Sequence, residues 1–545
     1  MNISTETRRT TGWVLLETIA NYGVDTVFGI PGTHNLELYR PLRALNIRVV
    51  TSRHEQGSGY AADAWSQRTG KPGVVLTTSG PGLLNALSAA GTAFCESRPM
   101  IILAPGPALG DEFADRGVLH ETKDQLGAAQ AIVEKATRVT SAAEAVDAVH
   151  EAFALFAQDR PRPVYIEIPL DVLESLTDID AERLQAQAPQ AATDVDATAV
   201  SEAAQLLAEA SQPVILAGGG SRHAAAEIQR LAETLVAPVV TTGNGKGTLS
   251  ENHPLSLGSL LRLEAVREVA QHADVLLVVG SKLGEADLWV DRLEAQGKVI
   301  RIDLLESQLN KNQDVHLGIT GDSRAVLRAL NTAVEDLDTV TRNAAEIHDR
   351  VAAARAEARE QSQQIDADNC RLGEWIAEAL PDDAIVATDS SQIAYLGLID
   401  AVKATEPNSV MYMPTYATLG YGTPGGIGAK IASPERPVAV VTGDGALMFS
   451  FNEFLTAVEQ RLDLVVIVVD NGGYAEIQAN EADVNIAPIG VQLTQPDWPL
   501  LAEALGGHGH RVTEPEQLKS VCAEAFAAGG LQLIHIDQDR IIQKL

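Results

Sequence analysis

The chain has 545 residues, of which 45% are apolar and 21% are charged, a composition typical of globular proteins rather than of disordered or collagen-like chains. Its 41 basic and 73 acidic residues leave a formal net charge of −32, which argues against nucleic acid or an anionic membrane surface as a partner. An anionic ligand in a local pocket is not excluded, because backbone amides and a metal ion can bind one there.

The sequence carries no strong signal for disulfides, zinc, secretion or membrane insertion. Cys95, Cys370 and Cys522 are far apart and odd in number, unlike a disulfide framework or a zinc site. The first residues lack the apolar stretch of a signal peptide and predict a short tail followed by an amphipathic helix. No apolar run reaches the roughly 18 residues that a membrane span needs. We therefore expect a soluble, cytoplasmic protein.

Short apolar runs, bounded mostly by glycine or proline, alternate with helical patterns along the chain. Runs of about five residues favour strands that are buried on both faces of a parallel sheet. In the first part of the chain the predicted strands are 26–30, 47–51, 73–78, 100–104 and 164–168. Further along they are 213–217, 239–242, 275–279 and 299–302, and then 384–388, 438–442, 464–470 and 531–536.

The stretches between these groups of strands indicate domain boundaries. Residues 186–199 lack apolar periodicity and are interpreted as a linker, whereas the Ala-, Glu- and Arg-rich residues 344–368 predict a solvated connecting helix. The first and last groups of strands have a similar size and rhythm. The sequence therefore predicts an α/β fold of three consecutive doubly wound parallel-sheet domains, which we place at 8–178, 196–335 and 365–545.

Several loops after strands are rich in glycine, and ligands of open α/β sheets bind at the carboxyl ends of strands. The loops GIPGTH at 29–34 and TSGPG at 78–82 by themselves indicate only tight turns. The loop GGGSRH at 218–223 is similar to a dinucleotide-binding turn. However, that turn requires glycine where His223 stands, and the next strand ends in Thr241 and Thr242 rather than in an acid. The pattern therefore disfavours an NAD site.

A more specific pattern joins Asp444 and Asn471. Each follows a predicted strand, and their spacing of 27 residues (471 − 444) fits one strand–helix–strand crossover. Both should then lie at the carboxyl edge of neighbouring strands, where a carboxylate, an amide and a backbone carbonyl can supply the hard oxygen ligands that suit Mg²⁺. Gly445 and Ala446 lead into a helix predicted near residues 451–459, whose N-terminal amides favour an anion. Together these features predict a magnesium–diphosphate site.

At these residues the sequence resembles the thiamine-diphosphate enzymes of the pyruvate decarboxylase and acetolactate synthase superfamily. The family signature is GDG, followed some 25–30 residues later by a pair that ends in Asn. Here it reads Gly443-Asp444-Gly445 and Asp470-Asn471, with Asp where the first residue of the pair is commonly Asn. The resemblance covers nearly the whole chain and implies pyrimidine-binding, middle and diphosphate-binding domains in that order.

The resemblance implies thiamine diphosphate and Mg²⁺ as cofactors, with Asp444, Asn471 and the carbonyl of Gly473 as metal ligands. The segment Asp389-Ser390-Ser391-Gln392 departs from the GxHQ form of many relatives, but its position after a strand suits diphosphate binding. Leu419 is similar to the bulky apolar residue that holds the cofactor in its folded shape, and an ordinary core leucine is the alternative. The candidate cofactor-binding residues are Gly32, Ser391, Gln392, Leu419, Gly443, Gly445, Ala446, Asn471 and Tyr474.

Glu55, in Arg53-His54-Glu55-Gln56-Gly57, carries the second family mark. Without the resemblance it would be interpreted as an acid in the first turn of a helix, where the helix dipole favours it. With the resemblance it is the candidate activating glutamate, which hydrogen-bonds the pyrimidine ring of the cofactor and promotes loss of the proton on thiazolium C2. Different subunits bind the two ends of one cofactor in this family. The resemblance thus implies a homodimer or a dimer of dimers, with the active site at the subunit interface.

The reaction implied is decarboxylation of a small 2-oxo acid to an aldehyde and CO₂. His34 and His120 are the candidate catalytic groups for proton transfer, and Thr33 and Gln125 the candidates for orienting the substrate. Residues 34–42, 53–65, 117–127 and 160–174 look most like the acetolactate-synthase-like decarboxylases, a branch that includes enzymes acting on 5-guanidino-2-oxopentanoate. Its cationic tail would need a carboxylate, for which Glu476 is the first candidate and Glu121 the second.

Three alternatives stay open to different degrees. One is an acetolactate-synthase-type carboligase that joins two 2-oxo acids. Some such relatives carry FAD in the middle domain, which the sequence neither favours nor excludes. Another is a non-catalytic paralogue that binds cofactor only, and the presence of Glu55, Asp444 and Asn471 argues against it. The third, an NAD-linked oxidoreductase, is disfavoured by the broken glycine pattern at 218–223.

Overall fold

The computed structural model describes residues 9–188 and 195–545, and its strands form three six-stranded sheets in which every pair of neighbouring strands is parallel. The three predicted doubly wound α/β domains are confirmed. Two compact units are present: one holds the N-terminal sheet together with residues 423–434 and 450–462, and the other holds the remaining two sheets. The boundaries 8–178, 196–335 and 365–545 stay predictions.

The N-terminal sheet has the strand order β2-β1-β3-β4-β6-β5. Its strands are β1 Thr26–Gly29, β2 Arg48–Val50, β3 Gly73–Leu76, β4 Met100–Gly106, β5 Lys135–Arg138 and β6 Val164–Pro169. The helices of this part are Thr11–Asn21, Leu36–Tyr39, Glu55–Thr69, Pro81–Glu96, Gln125–Gln130, Ala142–Gln158 and Leu170–Glu174, with a 3₁₀ turn at Ala181–Leu184. The five predicted strands are present. Strand β5 was missed because its half-buried residues form no apolar run.

The middle sheet has the order β12-β11-β10-β7-β8-β9, which is the order typical of dinucleotide-binding folds. Its strands are β7 Pro213–Ala217, β8 Val239–Thr241, β9 Ser256–Gly258, β10 Val275–Val279, β11 Lys298–Asp303 and β12 Leu317–Thr320. The helices are Ala197–Glu209, Ala225–Leu235, Glu264–Gln271, Glu285–Leu288 and Ser323–Glu335, and the 3₁₀ turns are Gly219–Ala224, Gly243–Gly245 and Glu306–Gln308.

The predicted linker 186–199 is too long at its C-terminal end. Part of it, residues 189–194, lies outside the described residues. Residues 197–199 belong to the helix Ala197–Glu209, because the side chain of Asp196 accepts hydrogen bonds from the backbone N–H groups of Thr198 and Ala199. An Asp before an Ala-rich run is an N-cap signal, and its local hydrogen bonds define the start of the helix.

The predicted connecting helix 344–368 consists of two helices, Ala344–Ile365 and Ala367–Ala379, which meet at Asp366. The first was predicted to be solvated, but one stripe of it is not. Val351, Ala354 and Ala358 are buried and pack in the same hydrophobic cluster as Leu263 and Val266 of the middle domain. Their spacing of three and four residues places them on one face of the helix.

The C-terminal sheet has the order β14-β13-β15-β16-β18-β17, which repeats the order of the N-terminal sheet. Its strands are β13 Ile385–Thr388, β14 Val410–Met411, β15 Val438–Gly443, β16 Leu464–Asp470, β17 His508–Val512 and β18 Leu531–Asp537. The remaining helices are Ile399–Ala401, Gly422–Ala432, Asp444–Leu447, Phe454–Glu459, Ala475–Asp483, Trp498–Ala504, Gln517–Ala528 and Gln538–Ile542, with a π-helix at Ile393–Leu398 and a 3₁₀ turn at Phe451–Glu453. The similar rhythm of the first and last blocks therefore reflects a shared topology.

One detail near the predicted diphosphate site differs from expectation. Gly445 and Ala446 do not run directly into a helix at 451–459. They lie in a separate short helix, Asp444–Leu447, and the later segment begins as a 3₁₀ turn before the helix Phe454–Glu459. Within the described residues, no helix is both long and apolar enough to cross a membrane.

Candidate active site

The loops after β1, β2 and β3 lie at one edge of the N-terminal sheet, because these three strands are neighbours. Glu55 follows β2 as the first residue of the helix Glu55–Thr69, and the side chain of His54 caps that helix by accepting from the N–H of Gln56. Asn85 donates a hydrogen bond from Nδ2 to Glu55 Oε2 at 3.0 Å. A side chain at Gly82 would come within 3.3 Å of Glu55 Oε1. The half-buried carboxylate of Glu55 is thus held against the start of the next helix.

His34 and His120 lie together, although 86 residues separate them (120 − 34). Their ring centroids are 5.1 Å apart and the rings meet edge to face. Ser79 joins them, since its Oγ lies 2.6 Å from Nδ1 of His34 and 3.5 Å from Nδ1 of His120. Burial, and then the neighbouring His120, lower the pKa of His34, so the ring is neutral near pH 7. Thr33 is exposed beside this pair.

The turn after β1 has a firm internal structure. The backbone N–H of Gly32 donates to Asn35 Oδ1 at 2.7 Å, and Asn35 Nδ2 donates to the carbonyl of Ile30 at 3.0 Å. A Cβ at Gly32 would lie 2.9 Å from Cβ of Thr78, so the loops after β1 and β3 approach too closely for a side chain there. Glycine at position 32 therefore brings His34 next to Ser79.

Gln125, predicted to orient the substrate, has a set of partners inside the N-terminal domain. Its amide is buried, and Oε1 accepts from the N–H of Gly80 at 2.6 Å. Its Nε2 lies within 3.0 Å of the carbonyl of Pro105, the hydroxyl of Tyr165 and a carboxylate oxygen of Glu167. These bonds tie Gln125 to the Gly80 turn, and its contact with a substrate stays a prediction.

The proposed metal ligands converge at the carboxyl edge of the C-terminal sheet. Asp444 follows β15 and is 1% exposed, and Asn471 follows the neighbouring β16. The side-chain oxygen of Asn471 faces Asp444 Oδ1 and the carbonyl oxygen of Gly473, each at 3.1 Å, so three oxygen atoms point to one place. Turned over, the amide would instead donate a hydrogen bond to each of the two. A carboxylate, an amide oxygen and a backbone carbonyl are hard oxygen donors of the kind that Mg²⁺ prefers. Within the described residues no group of three His, Cys, Asp or Glu side chains could hold a metal ion.

Next to these ligands lies a cradle for an anion. The hydroxyl of Ser391, after β13, is buried and has no hydrogen-bond partner. A Cβ at Gly443 would lie 3.1 Å from Cβ of Ser391, and one at Gly445 would lie 2.9 Å from the ring of Tyr474. The loops after β13, β15 and β16 therefore meet through glycines and leave one buried donor free. An orphaned hydroxyl beside this set of oxygen atoms fits the diphosphate end of thiamine diphosphate.

One residue that the sequence analysis missed holds Asp444, and the neighbouring Asp470 affects the pKa of Asp444. Gln495 donates from Nε2 to Asp444 Oδ2 at 2.6 Å. Asp470, the departure from the usual Asn, turns its carboxylate to Trp498 Nε1 at 3.2 Å and His535 Nε2 at 3.1 Å. Burial, and then the charge of Asp470, raise the pKa of Asp444 to about 6. A bound cation would offset both effects.

Asp389 begins the segment that the sequence analysis considered for diphosphate binding. It is 1% exposed, and its two carboxylate oxygens each accept one backbone hydrogen bond of 2.8 Å, from Gly420 and from Gly422. Burial raises the pKa of Asp389 to about 6, although these hydrogen bonds oppose the shift. The half-buried Leu419 directly precedes this clamped segment. Asp389 thus fixes the backbone that carries the proposed apolar residue beneath the cofactor.

The two candidates for a substrate carboxylate differ. Glu476 lies in the first turn of the helix Ala475–Asp483, is exposed, and accepts from Gln392 Nε2 at 3.0 Å. Burial, and then the charge of Glu476, raise the pKa of Tyr395. Glu121 instead accepts from the backbone N–H groups of Arg116 and Gly117 within its own loop. Those bonds lower the pKa of Glu121 and show that its carboxylate stabilises this loop.

A cavity of about 830 Å³ lies elsewhere in the same unit. Its lining includes Ala384 and Arg436, which precede β13 and β15, and Arg359 and Cys370 of the connecting helices. It therefore opens at the amino edge of the C-terminal sheet. The candidate site lies at the carboxyl edge, where ligands of such sheets bind.

The comparisons with known proteins agree with this geometry. Three family models match the chain: the N-terminal TPP binding domain of thiamine pyrophosphate enzymes over residues 9–128, their central domain over 200–330, and their C-terminal TPP binding domain over 395–536. The chain belongs to the thiamine pyrophosphate enzyme family. The resemblance seen in the GDG loop and Glu55 is confirmed.

Relatives within the family narrow the range of reactions that this chain can be assigned. The chain is 37% identical to a probable 2-ketoarginine decarboxylase of Pseudomonas aeruginosa, over 97% of this chain and 94% of the relative. It is 28% identical to a probable acetolactate synthase large subunit of Methanocaldococcus jannaschii, over 96% of this chain and 90% of the relative. A 2-hydroxyacyl-CoA lyase of Arabidopsis thaliana is 29% identical over 94% of this chain and 93% of the relative. The protein is thus a thiamine-diphosphate-dependent 2-oxo acid decarboxylase or carboligase.

Proposed function

We propose that this thiamine pyrophosphate enzyme converts 5-guanidino-2-oxopentanoate to an aldehyde and CO₂, with Mg²⁺ as the second cofactor. The observation that carries the proposal is the convergence of Asp444, Asn471 and the carbonyl of Gly473 beside the unpartnered hydroxyl of Ser391. Thiamine diphosphate, when bound, supplies the nucleophilic carbon that attacks a 2-oxo group and accepts the electron pair released with CO₂.

The residues of the C-terminal domain hold the diphosphate end. Asp444, Asn471 and Gly473 provide oxygen ligands to Mg²⁺, and Ser391 Oγ donates to a diphosphate oxygen. Gly443, Gly445 and Ala446 bring their backbone close to that group because side chains at the two glycines would collide with Ser391 and Tyr474. Gln392 and Tyr474 border the same cradle, and Leu419 supports the cofactor from below.

The residues of the N-terminal domain handle protons and the pyrimidine end. Glu55 hydrogen-bonds the pyrimidine ring, and Gly32 belongs to the adjoining turn. His34 and His120 move protons on the substrate side. The lowered pKa of His34 keeps its ring able to accept a proton near neutral pH, and Ser79 connects it to His120. Thr33, exposed beside the pair, is available to orient the substrate.

The substrate assignment rests on Glu476. A guanidinium tail binds best to a carboxylate that can accept two parallel hydrogen bonds. Glu476 is exposed next to the proposed cofactor residue Gln392, and the 37% identity to a probable 2-ketoarginine decarboxylase supports the same substrate class. Glu476→Gln is expected to impair turnover of the guanidino acid far more than that of a neutral 2-oxo acid.

The active site is proposed to form between two subunits, with Glu55 facing Asp444 of a second copy in a homodimer or dimer of dimers. Mixing denatured and refolded Glu55→Gln and Asp444→Ala variants, each inactive alone, tests this arrangement. Shared sites would restore about one quarter of wild-type activity, because half of the dimers would be mixed and each would contain one intact site. No restored activity would place both residues of one site on the same chain.

FAD is not favoured in the middle domain. At the switch point between β7 and β10 the N–H of Gly218 donates to the carbonyl of Val279 at 2.8 Å, and that of Gly220 donates to the carbonyl of Gly280 at 3.0 Å. These backbone bonds draw together the loops at the switch point, where folds of this strand order bind dinucleotides. We expect purified protein to be colourless and its activity to be unchanged by added FAD.

The direct test is product analysis with single 2-oxo acids. Purified protein with thiamine diphosphate and Mg²⁺ is expected to release CO₂ and one aldehyde from 5-guanidino-2-oxopentanoate, and less from pyruvate. Formation of an acyloin or acetohydroxy acid from pyruvate would instead support the carboligase that the acetolactate synthase relatives suggest. Absence of CO₂ from every 2-oxo acid would contradict the proposal.

A further inference from the structure

Tyr395 connects the proposed substrate carboxylate with a part of the middle domain that the proposed function does not use. It lies in the π-helix Ile393–Leu398, a wide helical turn that in proteins often occurs at functional sites. On one side the charge of Glu476 acts on its hydroxyl and, after burial, contributes to the raised pKa of Tyr395. On the other its ring lies 6.4 Å from the ring of Trp289, at an interplanar angle of 67°. An aromatic pair thus extends from the carboxylate that we assign to the substrate tail.

Trp289 belongs to the middle domain, and both its exposure and its backbone conformation are unusual for a tryptophan. It is 45% exposed and follows the short helix Glu285–Leu288 with φ +53°, a left-handed conformation that a bulky residue rarely adopts. A strained, exposed indole is poorly explained by packing alone and indicates a binding role. The nearby Asp287 is a second acidic residue, and its Oδ1 accepts a hydrogen bond from the N–H of Gly243 at 3.1 Å.

The same indole already contacts one guanidinium. Cζ of Arg262 lies 4.8 Å from the centroid of the Trp289 ring, and the charge of Arg262 is neutralised by Asp400. Guanidinium groups are planar and stack on aromatic rings more readily than ammonium groups do. The Trp289 ring therefore offers a surface on which a second planar cation can stack.

We propose that Trp289 and Tyr395 form the aromatic wall of a tail-binding site whose carboxylate is Glu476, and that this wall selects a planar guanidinium group. The inference rests on the proposed function and deepens it. A carboxylate has about four lone-pair positions. Gln392 occupies one of those on Glu476, which leaves room for a two-pronged guanidinium contact while the tail lies along the rings.

Three substrates separate charge from shape: 5-guanidino-2-oxopentanoate, the planar but neutral 5-ureido-2-oxopentanoate, and 2-oxohexanoate. Trp289→Leu and Tyr395→Leu are each expected to raise KM for the guanidino acid roughly tenfold and to leave that for 2-oxohexanoate unchanged. Trp289→Phe, which keeps an aromatic ring, should recover most of the loss. An equal loss on all three substrates would overturn the inference and leave the decarboxylase assignment intact.

A binding measurement makes the test independent of turnover. The unreactive analogue 5-guanidinopentanoate is titrated into wild-type holoenzyme and into Trp289→Leu by calorimetry, with hexanoate as the neutral comparison. Binding of the guanidino analogue that is at least tenfold tighter than that of hexanoate, and weakened by Trp289→Leu, supports the inference. Equal affinity for the two acids, or no effect of the substitution, overturns it. Loss of CO₂ release from every 2-oxo acid would count against the proposed function instead.

Discussion

The buried carboxylate of Glu453 accepts a hydrogen bond from the backbone N–H of His54 at 3.0 Å, although the two residues are 399 positions apart in the chain. Both of its oxygens also accept from the N–H of Arg53 at 3.1 Å. Glu453 is 1% exposed, and a side chain at Gly57 would collide with it. The turn that delivers Glu55 is therefore anchored by a residue just beyond the GDG loop in sequence.

Replacing Glu453 with Gln should misplace Glu55. The amide nitrogen of Gln would face backbone donors, so at least one hydrogen bond to a charged acceptor is lost, at a cost of roughly 2 kcal/mol. We expect kcat to fall at least tenfold while the affinity for thiamine diphosphate changes little. Glu459→Gln is the matched control, because Glu459 pairs with the side chain of Arg53 at the surface rather than with the backbone. Equal effects of the two substitutions would contradict this role.

Glu55→Gln removes the proposed activating acid and keeps its shape. Because Asn85 can still hydrogen-bond the amide oxygen, the local structure should persist. General acid–base groups contribute about 10²–10⁴-fold, so a loss of that size in kcat is expected. Exchange of the thiazolium C2 proton for deuterium, followed by NMR, should slow in parallel. Unchanged exchange would remove Glu55 from the activation step.

Gln495→Leu should weaken the metal site without removing a metal ligand. Its Nε2 donates to Asp444 Oδ2 at 2.6 Å, and partners that orient a ligand typically contribute 10–100-fold to metal affinity. We expect the Mg²⁺ concentration for half-maximal activity to rise at least tenfold, with kcat largely restored at saturating Mg²⁺. The control Gln478→Leu, in the same segment after β16, should leave the Mg²⁺ concentration for half-maximal activity unchanged. If both variants require the same Mg²⁺ concentration as wild type, Gln495 does not position Asp444.

Asp389 should give stability a distinct pH dependence. Burial raises its pKa to about 6, above the ordinary value of 3.8, so the folded protein holds this proton more tightly than the unfolded chain does. The stabilising contribution is present below about pH 4 and is lost as the pH rises through 6, with a span of roughly 3 kcal/mol.

In Asp389→Asn this contribution is absent. The Tm of the variant minus that of wild type should therefore increase between pH 4.5 and 7.5, measured by scanning calorimetry. The exposed Asp382, before the same strand, provides the control substitution Asp382→Asn. A Tm difference that does not depend on pH would show that Asp389 has an ordinary pKa.

Gln125→Leu should destabilise the N-terminal domain. The substitution leaves the N–H of Gly80 and the buried groups of Tyr165 and Glu167 short of one partner each, and an unsatisfied buried polar group costs about 1–3 kcal/mol. A drop of several degrees in Tm is expected, together with a lower kcat because Ser79 adjoins the displaced turn. The control Gln130→Leu, on the exposed side of the same short helix, should change neither Tm nor kcat.

The sequence alone determined the sheet architecture and the motif residues of the site. Central strands such as β10 and β16 are buried on both faces, so they must be continuous apolar runs, and their limits were predicted without error. All five missed strands, β5, β9, β12, β14 and β17, lie at sheet edges. Edge strands have one free side and need no unbroken apolar run. Loops that follow adjacent parallel strands must meet, which is why Asp444 and Asn471 could be paired from spacing.

Only the tertiary structure decided which side chains support those motif residues. No local sequence pattern marks these supporting residues, because a hydrogen bond between distant segments places no constraint on neighbouring residues in sequence. They are Glu453 beneath the Glu55 turn, Gln495 on Asp444, Asp389 beneath Gly420 and Ser79 between the two histidines. The partners of Gln125 were hidden for the same reason. Its residue type suggested a substrate contact, whereas its burial and its four partners within the domain are visible only once the chain is folded.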